Sequence, residues 1–261
     1  MRFIMHDGRR YAQFETFDVP GLTHAFSTRP DDLSARMDAH RASRSRSREA
    51  MLADFGLDPQ RLHYCVQAHE PLILIAGAST PFGAHEKFDA LITVEPHAAL
   101  MNFSADCPLL LIYDLRQGII AQAHASWRCS VARIAQLVIE RLKAEFGSAP
   151  GDLLAGVGPS AGPCCYEVKE DVRAAAATAG LKNLDLIFPR RDGRMFFDLW
   201  SANVSQLTEI GIDRQKIEIA GICTMCRNDL FFSFRREGAG CGHFCLMSAI
   251  SGQQSAAGRS G

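Results

Sequence analysis

Asn102 to Cys129, NFSADCPLLLIYDLRQGIIAQAHASWRC, is the stretch whose reading decides the fold. It holds two apolar runs, LLLIYD and GIIAQAH, separated by a short polar turn at Leu115 to Gln117. Short β-rich runs bounded by turn residues read as paired strands, so a hairpin is expected here. Cys107 stands just before the first run and His124 closes the second, and an antiparallel hairpin brings the two to the same open end. A thiol beside an imidazole either binds a metal, thiolate and neutral imidazole being good zinc ligands, or makes a nucleophile and its base. The third option is a buried cysteine and a strand-end histidine without chemistry, since buried free cysteine is common.

Outward from the hairpin, 261 residues with 47% hydrophobic and 22% charged side chains can bury a substantial core, which excludes disorder as the general state. A formal charge of -1 argues against a nucleic-acid or anionic-membrane surface and leaves a small-molecule partner as the better fit. The N-terminus, MRFIMHDGRRYAQFE, has no apolar core of signal-peptide length and no segment reaches membrane-span length, so a cytoplasmic location is expected. Nine cysteines in such a chain point to free thiols or metal ligands before a disulfide framework. No low-complexity linker and no fixed-period repeat interrupts residues 1–250, which read as one domain, and the tail 251–261 (SGQQSAAGRSG) reads as disordered.

LTHAFST, LHYCVQ, LILIA, FDALIT and AALMNFS read as strands before the hairpin. The polar PDDLSARMDAHRASRSRSR reads as a solvated surface loop leading into a short helix at Arg48 to Phe55. After the hairpin, Val131 to Phe146 carries apolar residues at helical spacing and stops at Gly147. A second helix is expected at Lys169 to Thr178, a third running from RMFFDLW to Ile210, and closing strands at LLAGVG, IEIAGICT, LFFSF and FCLMSAI.

A catalytic zinc takes three protein ligands and keeps a fourth position for water. Cys107 and His124 supply two, and spacing alone leaves the third open among His24, His63, His69, His85, His97 and His243. Cys223 and Cys226, with Cys241 and Cys245, have the paired look of a structural zinc site, although ordinary buried thiols read equally well from the apolar residues between the pairs.

The words THAFSTR, QAHE, FDALIT, SADCPLLLIYD, AQAHASWRC, VGPSAGPCCYEV, FFDLW and CTMCRNDLFFSFRR follow one another in an order that resembles the multicopper polyphenol oxidoreductase laccase family, the YfiH-like or peptidoglycan editing factor proteins. The likeness spans nearly the whole chain, with QVHG, ADC, HAGWRG and FFSYRR as the family's own words. It implies an α+β (mixed α/β) single-domain four-layer αββα sandwich like that of cysteine deamidase toxins. It also implies one zinc ion per chain, held by His69, Cys107 and His124, in an enzyme acting on purine nucleosides by phosphorolysis, by adenosine deamination, or both. On that reading Asp106 is the acid or base, and Arg48 and Arg128 are catalytic and hold phosphate, because guanidinium grips phosphate in a bidentate fashion. Ser27 completes the substrate-binding set, and the partners are a small-molecule nucleoside and phosphate acting on a monomer. Nine histidines without one His-x-His pair are too few and wrongly spaced for several copper ions, which speaks against a genuine multicopper laccase.

Two rivals stay open. One is a metal-free hydrolase or amidase of peptidoglycan-precursor editing, with Cys107 as nucleophile, His124 as base and the Asp106 region as orienting element. The other is a diverged zinc-binding member without purine activity, because the chain departs from the family words at Glu70, Ser47, the Asp31-Asp32 turn, Ser126, Cys129 and His243. Side chains at Ser126 and Cys129, where the family has glycine, are expected to narrow the pocket.

Overall fold

The strands, in chain order, are β1 (Arg2–His6), β2 (Arg9–Gln13), β3 (Leu22–Ser27), β4 (Leu62–Val66), β5 (Ile73–Ala76), β6 (Gly83–Glu86), β7 (Ala90–Thr93), β8 (Ala99–Ser104), β9 (Leu109–Asp114), β10 (Ile119–His124), β11 (Leu153–Val157), β12 (Glu167–Val168), β13 (Arg190–Arg191), β14 (Arg194–Phe196), β15 (Ile217–Ile219) and β16 (Phe244–Ile250). The helices are α1 (Arg41–Asp54), α2 (Trp127–Val131), α3 (Ile134–Phe146), α4 (Glu170–Thr178), α5 (Leu184–Ile187), α6 (Leu199–Glu209) and α7 (Phe234–Glu237). This computed structural model describes residues 1–35 and 41–251; apart from Ser251, the tail expected to be disordered lies outside them.

Seven strands form one sheet in the order β1-β2-β3-β16-β8-β4-β6, and six form another in the order β15-β11-β9-β10-β7-β5. The two sheets face each other across a core that includes Phe26, Leu100, Phe244 and Leu246 from the first and Leu91, Leu109, Leu111 and Ile120 from the second. The outer face of the first sheet, with Met101, Phe103 and Met247, is covered by Met51 and Leu52 of α1. The outer face of the second, with Ile92, Leu110, Ile112 and Ala121, is covered by α3 and by Leu207 of α6. The layers therefore run helix, sheet, sheet, helix, the αββα sandwich that the family resemblance implied. Both faces of the central strands are buried, which is why they read as continuous apolar runs without alternation. Close approach also dictates residue type: a Cβ at Gly158 would sit 2.6 Å from Phe26 and 2.8 Å from the Leu109 carbonyl oxygen.

The hairpin forms as expected, with Ile119 opposite Asp114 and His124 opposite Leu109. Two buried amides tie the sheets together above it. Gln122 donates to Ser248 Oγ at 2.7 Å, and Asn102 donates to the Asp89 carbonyl at 3.2 Å.

Several elements differ from the sequence reading. The Arg-Ser run is not a solvated loop: α1 begins at Arg41, and Arg44 and Arg48, one helical turn apart, are buried at 4% and 6% exposure. Arg44 pairs with Asp32 at 3.0 Å, and Arg48 donates to the carbonyls of Leu33 and Ser34, so tertiary partners override the polar local composition. The helix after the hairpin is split, because Arg133 adopts a left-handed φ of 63° between α2 and α3. RMF forms β14, and α6 starts only at Leu199 behind its Asp198 N-cap. LFFSF is a turn leading into α7; Phe231 and Phe232 are buried there, and the Leu230 carbonyl accepts the Arg29 N–H, without a ladder to either sheet. The N-terminal hairpin β1-β2 and strand β6 add to the first sheet beyond what was read.

One buried group makes stability depend on pH. His24, 3% exposed, accepts the Phe14 N–H at Nε2 (2.9 Å), and burial pushes its pKa down from 6.5 to about 4. The folded state thus holds a neutral ring that the unfolded chain protonates below pH 6.5, so this contribution is complete above 6.5 and is lost as pH falls toward 4. Between pH 7 and 4.5 the wild type is expected to lose about 2 kcal/mol more than His24→Gln. Urea unfolding of both proteins at the two pH values checks this, and equal losses would exclude His24 as the cause.

Candidate metal centre

His124 ends β10, and Cys107 sits just ahead of β9, so the hairpin register alone brings them together. His69 arrives from elsewhere, on the loop that leaves β4 in the first sheet and enters β5 in the second. Ligand atoms of His69, Cys107 and His124 lie within 4.8 Å of one another, and the two imidazoles meet edge to face with centroids 5.0 Å apart. Sequence spacing left the third donor open; the geometry brings His69, and none of the other candidate histidines, to this pair.

The residue that organises the centre is Asp89, which sequence reading took only as the start of a strand. It is fully buried. Its Oδ1 accepts His124 Nδ1–H at 2.7 Å, and its Oδ2 accepts the backbone N–H groups of Ala68 at 3.0 Å and Glu70 at 3.1 Å. One carboxylate therefore fixes the tautomer of His124, leaving Nε2 free for a ligand, and clamps the loop that carries His69. That loop needs the clamp, because His69 itself has a left-handed φ of 62°, a conformation costing roughly 1 kcal/mol or more for a side chain like this. The signal was present in the sequence as an acidic residue set between Phe88 and an apolar run.

Charge and burial set the protonation states. Burial alone would raise the Asp89 pKa, but the hydrogen bond and charge of His124, with the two backbone donors, hold it below the usual carboxylate range. Burial would lower the His124 pKa, yet the adjoining Cys107 sulfur and the Asp89 carboxylate overcome it and push the ring up to about 9. Desolvation by the cavity walls, and then the neighbouring His124, pull His69 below its ordinary value even though part of its surface meets solvent. Cys129, pushed up to about 12 by burial, stays a thiol and points at Asp89 from 3.7 Å.

The three donors open into a cavity of about 710 Å³, within the size range of small-ligand pockets. Its walls include Phe103, Trp127, Tyr166 and Phe234, and Arg128, Arg235 and His243 add polar and cationic groups. Arg128 is exposed and stacks over Trp127 at 4.4 Å, with no ion pair among the described residues. Arg235 lies over Tyr166 at 4.7 Å and was not singled out from sequence.

Other expected site residues sit differently. Asp106 lines the cavity, but Oδ1 accepts Thr224 Oγ1–H at 2.6 Å and Oδ2 accepts the Arg235 N–H at 2.7 Å, so both oxygens anchor loops and proton transfer is a poor use for them. Arg48 does not line the cavity. It supports the Ser34 carbonyl behind the wall and faces the Tyr64 ring at 5.0 Å, which corrects its assignment to phosphate. Ser27 is also outside, its hydroxyl accepting the Cys245 N–H at 2.9 Å. The expected narrowing does not occur either: Ser126 caps α2 by accepting the Cys129 N–H, and neither residue borders the cavity. Cys223 and Cys226 meet Cys164 and Cys165, whereas Cys245 packs against Met51, so the Cys241 and Cys245 pairing is also corrected.

The donor set fits a metal of zinc's preferences: two imidazoles and a thiolate, a buried carboxylate behind one imidazole, and an open side toward the cavity. Fold and site together define an αββα protein with a three-donor centre in the wall of a cavity of about 710 Å³. The chain belongs to the multi-copper polyphenol oxidoreductase laccase family, whose sequence model matches residues 28–251. It is 36% identical, over 69% of this chain and 70% of the relative, to a purine nucleoside phosphorylase of Bacteroides thetaiotaomicron. A second purine nucleoside phosphorylase, from Deinococcus radiodurans, is 34% identical over 83% of this chain and 84% of its own. Adenosine deaminase RL5, from an unknown prokaryotic organism, is 32% identical over 61% of each chain. In fold the chain is similar to the crystal structure of YlmD from Geobacillus stearothermophilus, with a TM-score of 0.88 at 23% identity over 95% of this chain and 98% of that one. Among the described residues no helix is long and apolar enough to cross a membrane.

Proposed function

We propose that the protein is a zinc-dependent purine nucleoside enzyme, with phosphorolysis as the leading reaction and adenosine deamination at the same centre as the second. The observation that carries this reading is the two-imidazole, one-thiolate cluster in an aromatic-walled cavity that Arg128 also lines, stacked on Trp127 and with no ion pair among the described residues. His69, Cys107 and His124 would hold the ion, and zinc there supplies Lewis acidity that draws the pKa of water toward neutrality.

The protein's own residues do the rest. Trp127, Tyr166 and Phe234 offer flat apolar surface to a purine ring, which aromatic faces bind by stacking. Arg128 offers a guanidinium to phosphate, with no ion pair to break among the described residues. Asp89 keeps His124 in place and its Nδ1 protonated. The names of the relatives support the substrate class, and nine histidines without a His-x-His pair support one zinc over several coppers.

Incubation with adenosine or inosine, with and without phosphate, tests the proposal. Phosphate-dependent base release supports phosphorolysis, ammonia release supports deamination, and neither at high enzyme concentration refutes both. Loss of one charge-assisted contact in Arg128→Ala is expected to raise the phosphate KM by about 10- to 100-fold while the metal content stays unchanged. An unchanged phosphate KM would remove Arg128 from the site.

One observation favours a second reading, a metal-free cysteine hydrolase. Asp89, His124 and Cys107 line up as orienter, base and nucleophile, with Asp89 in the role that sequence gave to the Asp106 region. His69 has no part in that chemistry, and its convergence on the same point supports the metal. Full activity after complete removal of zinc would favour the hydrolase.

A further inference from the structure

Away from the first centre, a second group of donors converges from two loops. Cys164 and Cys165 lie on the turn before β12, and Cys223 and Cys226 on the turn after β15. Their four sulfur atoms lie within 4.8 Å of one another, with Cys226 Sγ at 3.7 Å from Cys164 Sγ and 3.4 Å from Cys165 Sγ. Four sulfurs around a zinc ion at ordinary bond lengths stand about 3.8 Å apart, so the spacing matches a tetrahedral thiolate cage. All four cysteines are free thiols.

We propose that Cys164, Cys165, Cys223 and Cys226 form a second, structural zinc site, separate from the His69, Cys107 and His124 centre. Binding makes four sulfur–zinc bonds and releases the thiol protons to water, with no change of oxidation state. A closed set of four thiolates leaves no open position, the mark of a structural zinc site. The surroundings suit a thiolate cluster. Cys223 Sγ accepts the Gly162 N–H at 3.3 Å and also the Cys226 N–H. A Cβ at Gly162 would come within 3.1 Å of Cys223 Cβ and 2.8 Å of Trp200, so glycine is needed for that approach. Two guanidinium groups border the cage, Arg191 on the Pro163 carbonyl and Arg236 on the Met225 carbonyl, where they offset the net negative charge of four thiolates and one divalent ion.

The site's place in the fold gives it a task. Thr224, between two of the ligands, donates to Asp106 Oδ1, next to Cys107. Tyr166, adjoining Cys165, walls the cavity. An ion joining the two turns would therefore staple the part of the cavity wall that holds Asp106 and Tyr166.

Metal analysis of untagged protein is expected to find about two zinc ions per chain, falling by about one in Cys226→Ser and, independently, by about one in His124→Ala. The two losses separate this site from the cavity centre. Because a variant can misfold, the unaltered protein supplies a second readout. Iodoacetamide, mapped by peptide mass spectrometry, should alkylate Cys164 and Cys226 about tenfold or more slowly before chelation than after it. The proposal is overturned by unchanged zinc in Cys226→Ser and Cys164→Ser, by equal alkylation before and after chelation, or by a disulfide among these cysteines in protein isolated under reducing conditions.

Discussion

His124→Ala is expected to lose the zinc of the cavity and to lower nucleoside turnover by about three orders of magnitude, the several kcal/mol of charge stabilisation that a catalytic metal provides. The effect should be this large because His124 is both a donor and the partner of Asp89, whose Oδ1 it occupies at 2.7 Å. Removing it leaves a fully buried carboxylate without its cationic or hydrogen-bonding neighbour, so some stability should go as well. Cys107→Ala takes away a ligand without exposing that carboxylate, and it should reproduce the loss of turnover with a smaller loss of stability. Turnover within tenfold of wild type in both variants, at matched folded fraction, would mean that the cluster is not catalytic.

Asp89→Asn is the second large effect, and the more informative, because Asp89 is fully buried behind the centre and does not line the cavity. An amide in place of the carboxylate turns one acceptor into a donor facing other donors: the N–H groups of Ala68 and Glu70 and the His124 ring. Zinc affinity, measured by competition with a chromophoric chelator, is expected to fall about 10- to 100-fold. Orphaning a buried N–H group should add a stability loss of about 1–3 kcal/mol in urea unfolding. A zinc affinity within threefold of wild type would show that Asp89 merely fills space. The Asp89→Glu variant gives the matching control, since it keeps the charge and should recover part of the affinity.

Much of the scaffold could be read from the chain because its signals are local. The turn at Leu115 to Gln117 between two apolar runs dictated the hairpin, and the hairpin register dictated the Cys107 and His124 pairing. His69 could be chosen only through family resemblance, since its loop crosses from one sheet to the other and no spacing rule reports which loop ends opposite which strand. Asp89 was missed for a related reason: an acidic residue between Phe88 and an apolar run signals a buried charge that needs partners, but its four partners come from three segments that the sequence does not name. The Arg-Ser run misled because composition describes a solvated surface, while Arg44 and Arg48 fold inward to Asp32 and to carbonyls of the Leu33 loop. Arg48 and Ser27 were drawn toward the site by family words, yet both support the walls from behind. The cysteines show the same limit. Cys223 and Cys226 announced a pair, but its partner pair came from the turn at Cys164 and Cys165, some 60 residues earlier in the chain.

Anomalous X-ray diffraction on crystals of untagged protein, recorded on both sides of the zinc absorption edge, tests the central claim most directly. The account predicts a zinc peak within bonding distance of His69, Cys107 and His124, with cavity space on its fourth side. A catalytically active crystal with no anomalous density between those three residues, or with copper there, would contradict it.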